Sequence, residues 1–310
     1  MAGTTATPSA RQGMSAFDWA RLLLLGAIWG GSFFFARIAV GEMHPLTLVL
    51  FRVMIAAAAL HLYLSIRGPS FRLALPVAGS LLVLALVNNV VPFSLIFAGQ
   101  TEMGAGLASV LNSTTPFWTI LIANAVTSDE KISPSKVAGV LLGIAGVAVM
   151  VGPGIVAGLG GPVWAKFAMV GASLSYAVAL VFSRRFRGVP PAIVATGQLT
   201  ASTIVMVPVV LLWNGPAGLF AASPPVWAAV VALALVSTAF AYILYFGLIG
   251  SAGATNASLV TLIVPVSAML LGFVFLGERL ELFEIAGMLL IALGLLTMDG
   301  RIFRRRKVIP

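Results

Sequence analysis

Long apolar runs, separated by short stretches that contain glycine, proline or charged residues, make up most of the chain. A transmembrane helix needs about 20 mostly apolar residues, and each run reaches or approaches that length. The pattern therefore predicts an all-α membrane protein with ten transmembrane helices. The predicted spans are residues 19–40, 45–66, 73–98, 102–126, 134–152, 162–184, 191–213, 225–249, 253–276 and 282–302.

Two of these runs are interrupted by polar residues and a proline. The fourth carries a polar stretch at residues 112–115 followed by Pro116, and the ninth repeats this pattern up to Pro265. Proline removes a backbone donor and clashes with the carbonyl four residues back, so each helix should kink or break there. Matched interruptions in the two halves of a membrane protein indicate a transporter binding site. We therefore predict that Pro116 and Pro265 are hinges.

The two halves of the chain also resemble each other. Residues 104–109 align with residues 253–258, so that Pro116 falls on Pro265, and the matches that follow in the same order are Glu130 with Glu278, Gly139 with Gly287, Gly146 with Gly294 and Gly152 with Gly300. Five spans per half would make the second half enter the membrane from the opposite side, which predicts two inverted five-helix repeats. The predicted organisation is a disordered cytoplasmic tail (1–17), a first repeat (18–152), a second repeat (153–302) and a basic cytoplasmic tail (303–310).

Composition and charge support a membrane protein. Hydrophobic residues make up 60% of the chain and charged residues only 9%, whereas a soluble domain is about 25% charged. Of the 18 Lys and Arg residues, 14 fall on the side of both termini if there are ten spans, and only Arg37, Arg52, Lys166 and Arg279 fall on the other side. Positive residues collect in cytoplasmic loops, so both termini are predicted to be cytoplasmic and the basic residues are not a nucleic-acid surface.

Two motifs resemble a known family. Residues 29–34 (Trp-Gly-Gly-Ser-Phe-Phe) and the pattern from Pro265 through residues 275–279 (Phe-Leu-Gly-Glu-Arg) resemble EamA-type members of the drug/metabolite transporter superfamily. The first copy departs from the pattern, with Thr-Ser at residues 127–128 where the family has Leu-Gly. The chain is similar to bacterial amino-acid exporters of the YddG type. This resemblance implies ten helices, a central cavity and export of amino acids or related metabolites across a bacterial inner membrane.

The chain lacks the residues that several kinds of chemistry require. The chain has no cysteine and only two histidines, so we expect no disulfide, thiolate or metal cluster, and no cofactor. The acidic residues fall at predicted span ends or in loops, which predicts an uncharged, aromatic interior. Proton-coupled transporters commonly place an acid or histidine inside the membrane. We therefore predict uniport without obligatory proton coupling.

The polar and aromatic residues inside the spans are the candidate lining of a substrate cavity. An amphipathic aromatic lining suits neutral or aromatic amino acids. Helix packing explains Trp29 and Trp118 equally well, and isolated Ser or Thr residues commonly join helices. Arg37 and Arg52 are predicted to form an outer vestibule that attracts a substrate carboxylate, with snorkelling to the interface as the alternative. The candidate cavity residues are Trp29, Phe33, Asn88, Asn112, Thr115, Trp118, Tyr176, Tyr242, Tyr245, Asn256 and Thr261.

The sequence thus predicts an exporter of amino acids and related small metabolites that works by alternating access. Its partners would be the small-molecule substrate and membrane lipid, with no nucleic acid, and a monomer is favoured. An exporter of drugs, nucleosides or sugar derivatives is the first alternative. An intramembrane enzyme would need an acid/base pair, a metal cluster or an activated nucleophile, and a channel would need rings of like charge or filter carbonyls.

Overall fold

The computed structural model describes residues 14–126, 133–157 and 162–299, and within these residues the protein is entirely helical, with no strand. Residues 1–13 of the predicted N-terminal tail, the whole predicted basic tail (303–310), Glu130 and Gly300 lie outside the described residues. The helices are α1 (Ala16–Ala39), α2 (Pro45–Arg67), α3 (Ala78–Ala85), α4 (Val91–Gln100), α5 (Ala105–Asn112), α6 (Thr115–Val126), α7 (Pro134–Ala157), α8 (Val163–Phe182), α9 (Pro191–Trp213), α10 (Pro224–Ala234), α11 (Ala241–Ala252), α12 (Ala254–Ala257), α13 (Val260–Leu276) and α14 (Leu282–Asp299). Tighter 3-10 turns occupy Phe71–Val77 and Ser183–Phe186.

Seven helical segments within the described ranges are long and apolar enough to cross a membrane. Two further apolar helices, Val260–Leu276 and Leu282–Met298, are shorter, and the fourth predicted run is divided between α5 and α6. The prediction of an all-helical, multi-pass membrane protein is confirmed, while the number ten remains a prediction. The seven segments are Ala16–Ala39, Pro45–Arg67, Phe71–Gln100, Pro134–Val151, Val163–Phe186, Pro191–Trp213 and Pro224–Ala252.

Both interrupted runs contain a break, but the two prolines lie differently relative to it. α5 ends at Asn112 and α6 begins at Thr115, so Pro116 is the second residue of α6, where the missing N–H would have had no helical partner anyway. In the second half the break falls between α12 and α13, and Pro265 lies inside α13. There its ring leaves the carbonyl of Thr261 without its usual helical donor. The predicted break at Pro265 is therefore displaced toward the start of the span.

The last helices of the two halves, α7 and α14, pack closely through glycines. A Cβ added to Gly139 would lie 2.6 Å from the carbonyl oxygen of Gly294, and one added to Gly146 would lie 2.7 Å from that of Gly287. The helices are antiparallel, because the residue numbers run in opposite directions along the contact. Small residues let helix backbones approach in this way in membranes. The alignment of the two halves pairs Gly139 with Gly287 and Gly146 with Gly294. Swapping the halves therefore turns one of these two glycine contacts into the other.

Other helix contacts also occur in equivalent pairs when the two halves are swapped. α1 packs on α13 in the second half, and α8 correspondingly packs on α5 and α6 in the first. α4 contacts α8, while α10 and α11 contact α1, and α2 contacts α9 directly. The largest buried apolar cluster draws residues from both halves. The two halves are thus related by a pseudo-two-fold exchange, and both of them contribute to the largest buried cluster.

Candidate functional site

Two π-helical segments, Leu86–Val90 and Leu235–Phe240, interrupt the third and eighth predicted spans. π-Helical turns are rare and are frequently found at functional sites. The sequence alignment that pairs the two prolines also pairs Asn88 with Ser237 and Asn89 with Thr238, so the segments occupy corresponding places in the two halves. Each one puts polar side chains in the middle of an otherwise apolar span.

Both π-helical segments are hydrogen-bonded to the second helix of the opposite half. Asn88 Nδ2 donates to Gln198 Oε1 in α9 at 2.9 Å. In the other half, Arg52 Nε in α2 donates to Thr238 Oγ1 at 3.0 Å. A second bond, from Asn89 Nδ2 to an α9 serine hydroxyl at 3.0 Å, strengthens the first link. The polar centre of the molecule is therefore built from both halves.

Arg52 is the only charged side chain we find in this centre, among the residues the structure describes. It is 7% exposed, and its guanidinium carbon lies 3.8 Å from the ring centroid of Phe93. Phe93 in turn meets Tyr176 edge-on, with centroids 6.5 Å apart. The titratable groups that act on Arg52 are the neutral hydroxyls of Tyr176 and Tyr242, with no carboxylate among them in the described part of the chain.

Burying Arg52 costs free energy, and its contacts offset that cost. Removing such an ion from water costs several kcal/mol even after the protein relaxes. Stacking on Phe93 returns about 2 kcal/mol when the pair is desolvated, and the bond to Thr238 returns roughly 1.5–3 kcal/mol. A group held at this cost inside a membrane is a functional candidate. We call Arg52, Asn88, Phe93, Tyr176, Gln198, Thr238 and Tyr242 the central cluster.

An aromatic wall adjoins the central cluster. The Trp29 ring lies 5.2 Å from that of Tyr245, and Phe246 lies 6.0 Å from both Tyr245 and Tyr242. The Tyr242 hydroxyl also lies near the side chain of Asn88. The structure thus brings together six residues that the sequence placed in the cavity or vestibule, namely Trp29, Arg52, Asn88, Tyr176, Tyr242 and Tyr245.

The remaining candidates of the first half make local contacts. Thr115 Oγ1 donates to the carbonyl of Asn112 at 2.8 Å, and Trp118 Nε1 donates to the hydroxyl of Thr114 at 3.3 Å. These bonds satisfy groups around the break between α5 and α6, although the side-chain oxygen of Asn112 is buried without a partner. Phe33 is buried, and its carbonyl accepts a bond from the Gln100 side chain.

The candidates of the ninth span likewise bond to their own backbone. Asn256 Nδ2 donates to the carbonyl of Ala252 at 2.9 Å, and Thr261 Oγ1 donates to that of Ser258 at 2.8 Å. Both bonds lie at the break between α12 and α13.

Arg37 and Arg52, predicted together as a vestibule, have different surroundings. Arg37 Nη1 donates to the carbonyls of Gln100 and Thr101 at 2.6 and 3.2 Å, at the end of α4. Close by, Glu42 accepts bonds from the backbone N–H and hydroxyl of Ser223, at 2.7 and 2.8 Å, and these bonds lower the pKa of its carboxyl. Arg37 therefore helps to hold one end of the bundle together, whereas Arg52 is buried.

Glu278 ties the same end of the bundle across the two halves. Its carboxylate oxygens accept bonds from the backbone N–H groups of Ala105 and Gly106, at 2.8 and 3.2 Å. These N–H groups begin α5, where the helix dipole favours a negative charge. The acid of the family-like motif thus fastens the loop after α13 to the helix that follows α4.

The expectation of an uncharged interior does not hold. Arg52 is buried in the central cluster, and Lys166, in the first turn of α8, is fully buried with its Nζ donating to the carbonyl of Met150 at 2.9 Å. Glu284 falls in the first turn of α14, at a span end as predicted, yet it is buried beside Lys166. Gln198 was absent from the candidates, although a glutamine in the middle of an apolar run is costly in lipid and could have been selected on that ground.

Comparisons with known proteins agree with this architecture. The model of the EamA-like transporter family matches residues 19–152 and again residues 163–298. The uncharacterized transporter YoaV of Bacillus subtilis (strain 168) is 24% identical over 282 residues, covering 91% of this chain and 96% of its own. The uncharacterized inner membrane transporter YedA of Escherichia coli (strain K12) is 26% identical over 296 residues, covering 93% of each chain.

A solved crystal structure shares the fold. It superposes with a TM-score of 0.65 at 23% identity, and the match covers 94% of this chain and 99% of that one. The family match extends over both halves, including each π-helical segment and the helices that hold the central cluster. The chain belongs to the EamA-like transporter family.

Proposed function

We propose that this protein carries small amphipathic molecules, amino acids foremost among them, across a bacterial inner membrane by way of the central cluster. The observation that carries the proposal is the position of this cluster, where π-helical segments of the two halves meet the second helix of the opposite half. In transporters built from inverted repeats, the substrate site lies at the repeat interface near the membrane midplane. The two relatives described above are named as transporters.

The lining favours a substrate with an apolar body and a few polar groups. The rings of Trp29, Tyr242 and Tyr245 offer apolar area, while tyrosine hydroxyls and the amides of Asn88 and Gln198 offer hydrogen-bonding tips. Ligand sites commonly combine such walls with a few converging polar groups. Neutral and aromatic amino acids fit this description, and export follows from the resemblance to YddG-type proteins.

Alternating access would operate between the two halves. The antiparallel contact of α7 with α14 supports inverted repeats, and hence the proposed ten-span topology with repeats at 18–152 and 153–302. The hydrogen bonds of Arg37, Glu42 and Glu278 would hold one end of the bundle closed in one of the two states. In the opposite state these contacts would release while the other end closes, with the halves bending near Pro116 and Pro265.

Uniport is part of the proposal. The cation in the central cluster is an arginine, which remains charged at all relevant pH values and therefore cannot carry a transported proton. Substrate movement would follow its own gradient. Collapse of substrate accumulation on dissipating an imposed pH gradient would refute uniport.

The proposed orientation places both termini in the cytoplasm, and the protein works as a monomer in contact with lipid. A fluorescent protein that folds only in the cytoplasm, fused after Pro310, should be fluorescent, whereas alkaline phosphatase at the same position should be inactive. The reverse result would invert the topology and the assignment of the closed end.

Counterflow in proteoliposomes tests the function. Vesicles are preloaded with one unlabelled compound at a time, and entry of a labelled neutral amino acid is followed with and without a pH gradient. Saturable entry that several neutral or aromatic amino acids compete for is the expected result. Absence of counterflow across the amino-acid panel, with counterflow of drugs or nucleosides, would favour the alternative exporter, and linear, non-saturable flux would favour a channel.

A further inference from the structure

We infer that Arg52 is the anchor for a carboxylate, so that the central cluster selects substrates with one carboxylate and an apolar body. The inference rests on the proposed transport function and adds a chemical requirement to it. The Nε–H of Arg52 is used by Thr238. Among the described residues, no carboxylate reaches the other guanidinium N–H groups, so the buried positive charge of Arg52 has no opposite charge beside it in the described part of the chain.

The geometry suits a planar, two-oxygen anion. The face of the guanidinium is covered by Phe93, with Phe97 farther away at 5.7 Å from the same carbon. The donors of an arginine lie at the edges of its plane, and their fork matches the two oxygens of a carboxylate. Since Nε is already bonded, the terminal Nη groups are the donors left for a ligand.

A single carboxylate fits the charge of the site better than a phosphate does. Within the described residues around Arg52, the neighbours are aromatic rings, tyrosine hydroxyls and a threonine, with no second cation. A phosphate ester, with nearly two negative charges, would remain partly uncompensated after burial. A carboxylate leaves the pair neutral, and the aromatic wall of Trp29, Tyr245 and Phe246 can receive the apolar body.

A set of matched ligands distinguishes the contribution of the carboxylate to binding from that of the rest of the molecule. Phenylalanine, 3-phenylpropanoate and phenethylamine share the ring, and the last one lacks the carboxylate. Binding to purified protein is measured as a shift in melting temperature, and the same compounds are tested in counterflow. The variants are Arg52→Gln, which removes the charge, Arg52→Lys, which keeps the charge without the planar fork, and Arg67→Gln, an exposed control on the same helix.

The inference predicts that the two carboxylates stabilise the wild type and Arg67→Gln, and that phenethylamine does not. Affinity for carboxylates should fall about 30-fold or more in Arg52→Gln, as for the loss of one partner of a buried charge pair, and less in Arg52→Lys. Equal stabilisation by phenethylamine, unchanged affinity in Arg52→Gln, or no stabilisation by a wider panel of amino acids and monocarboxylates would overturn it.

Failure of the inference and failure of the proposed function give different results. Saturable counterflow of carboxylate-free compounds that Arg52→Gln does not affect would leave a transporter and remove the carboxylate anchor. Arginine-dependent stabilisation by carboxylates without any counterflow would leave the anchor and remove the transport function. The melting temperature of each variant without ligand shows whether it is folded.

Discussion

The position of Arg52 illustrates which parts of the site can be derived from single residues. The sequence identified an arginine near the start of the second span, and both a vestibule and snorkelling were compatible with that position. Its actual surroundings depend on Phe93 and Thr238, which lie on other spans. The sequence was sufficient to identify Tyr176, Tyr242 and Asn88 as candidates, because polar or amphipathic residues are unusual inside apolar runs. Their mutual contacts could not be predicted, because these contacts depend on how the halves pack.

Thr238 is predicted to hold Arg52 in place. Thr238→Val keeps the shape of the side chain but removes the acceptor of the Arg52 bond and the donor to the carbonyl of Leu233. A hydrogen bond to a charged group contributes roughly 1.5–3 kcal/mol, so the melting temperature in detergent should fall by several degrees. Thr297→Val removes only a local bond to Leu293 and is the control. An equal fall in the melting temperature of both variants would show that the bond to Arg52 contributes no more to stability than a local hydrogen bond does.

At the scale of helices, apolar runs located the spans well because length and hydropathy alone decide whether a helix can cross a membrane. The π-helical segments and the displaced second break were not predictable in this way. A π-helical turn has no residue signature of its own, and the polar side chain of Asn88 in the first segment is bonded to Gln198 on another helix. The break before Val260 shows that a proline marks where a helix is weakened and not always where it ends.

The glycine contact between α7 and α14 should be intolerant of added volume. In Gly146→Ala the new Cβ would meet the carbonyl of Gly287 at 2.7 Å, so the helices must separate, at about 1–3 kcal/mol as for overpacked cores. Gly79→Ala is the matched control, because no atom lies within 4 Å of its new Cβ and alanine favours the helix by up to about 1 kcal/mol. Melting temperatures should fall for the first variant and not for the second. A similar shift in both would argue against close packing of these helices.

Pro265 is predicted to keep α13 bendable. Pro265→Ala restores the donor for the carbonyl of Thr261 and should stiffen the helix, so counterflow should slow several-fold while the melting temperature is unchanged or higher. Pro208→Ala, inside α9, is the control for removing a proline from a helix elsewhere. Near-normal transport together with lost expression of Pro265→Ala would mean that this proline serves folding and not movement.

At the scale of the whole molecule, the two halves are equivalent in helix packing and different in chemistry. One pseudo-two-fold relationship between the halves relates their helix contacts, their π-helical segments and their glycine pairs. The polar links do not, because one half contributes a cation at Arg52 where the other contributes the amide of Gln198. In the proposed mechanism, equivalent packing would allow the halves to exchange their roles in two states, and the unequal centre would give a substrate one orientation. The internal repeat was evident in the sequence, whereas this asymmetry emerged only from the packed structure.

The most direct test of this account is whether the central cluster faces each side of the membrane in turn. The chain has no cysteine, so Asn88→Cys gives a single thiol for a membrane-impermeant maleimide, applied to intact cells and to inside-out vesicles. Ile204→Cys, on the lipid-facing side of α9 at 67% exposure, is the control and should resist labelling. The account predicts that Asn88→Cys is labelled from both sides and that a transported amino acid slows labelling from each. Labelling from one side only, or labelling that substrate does not affect, would contradict it.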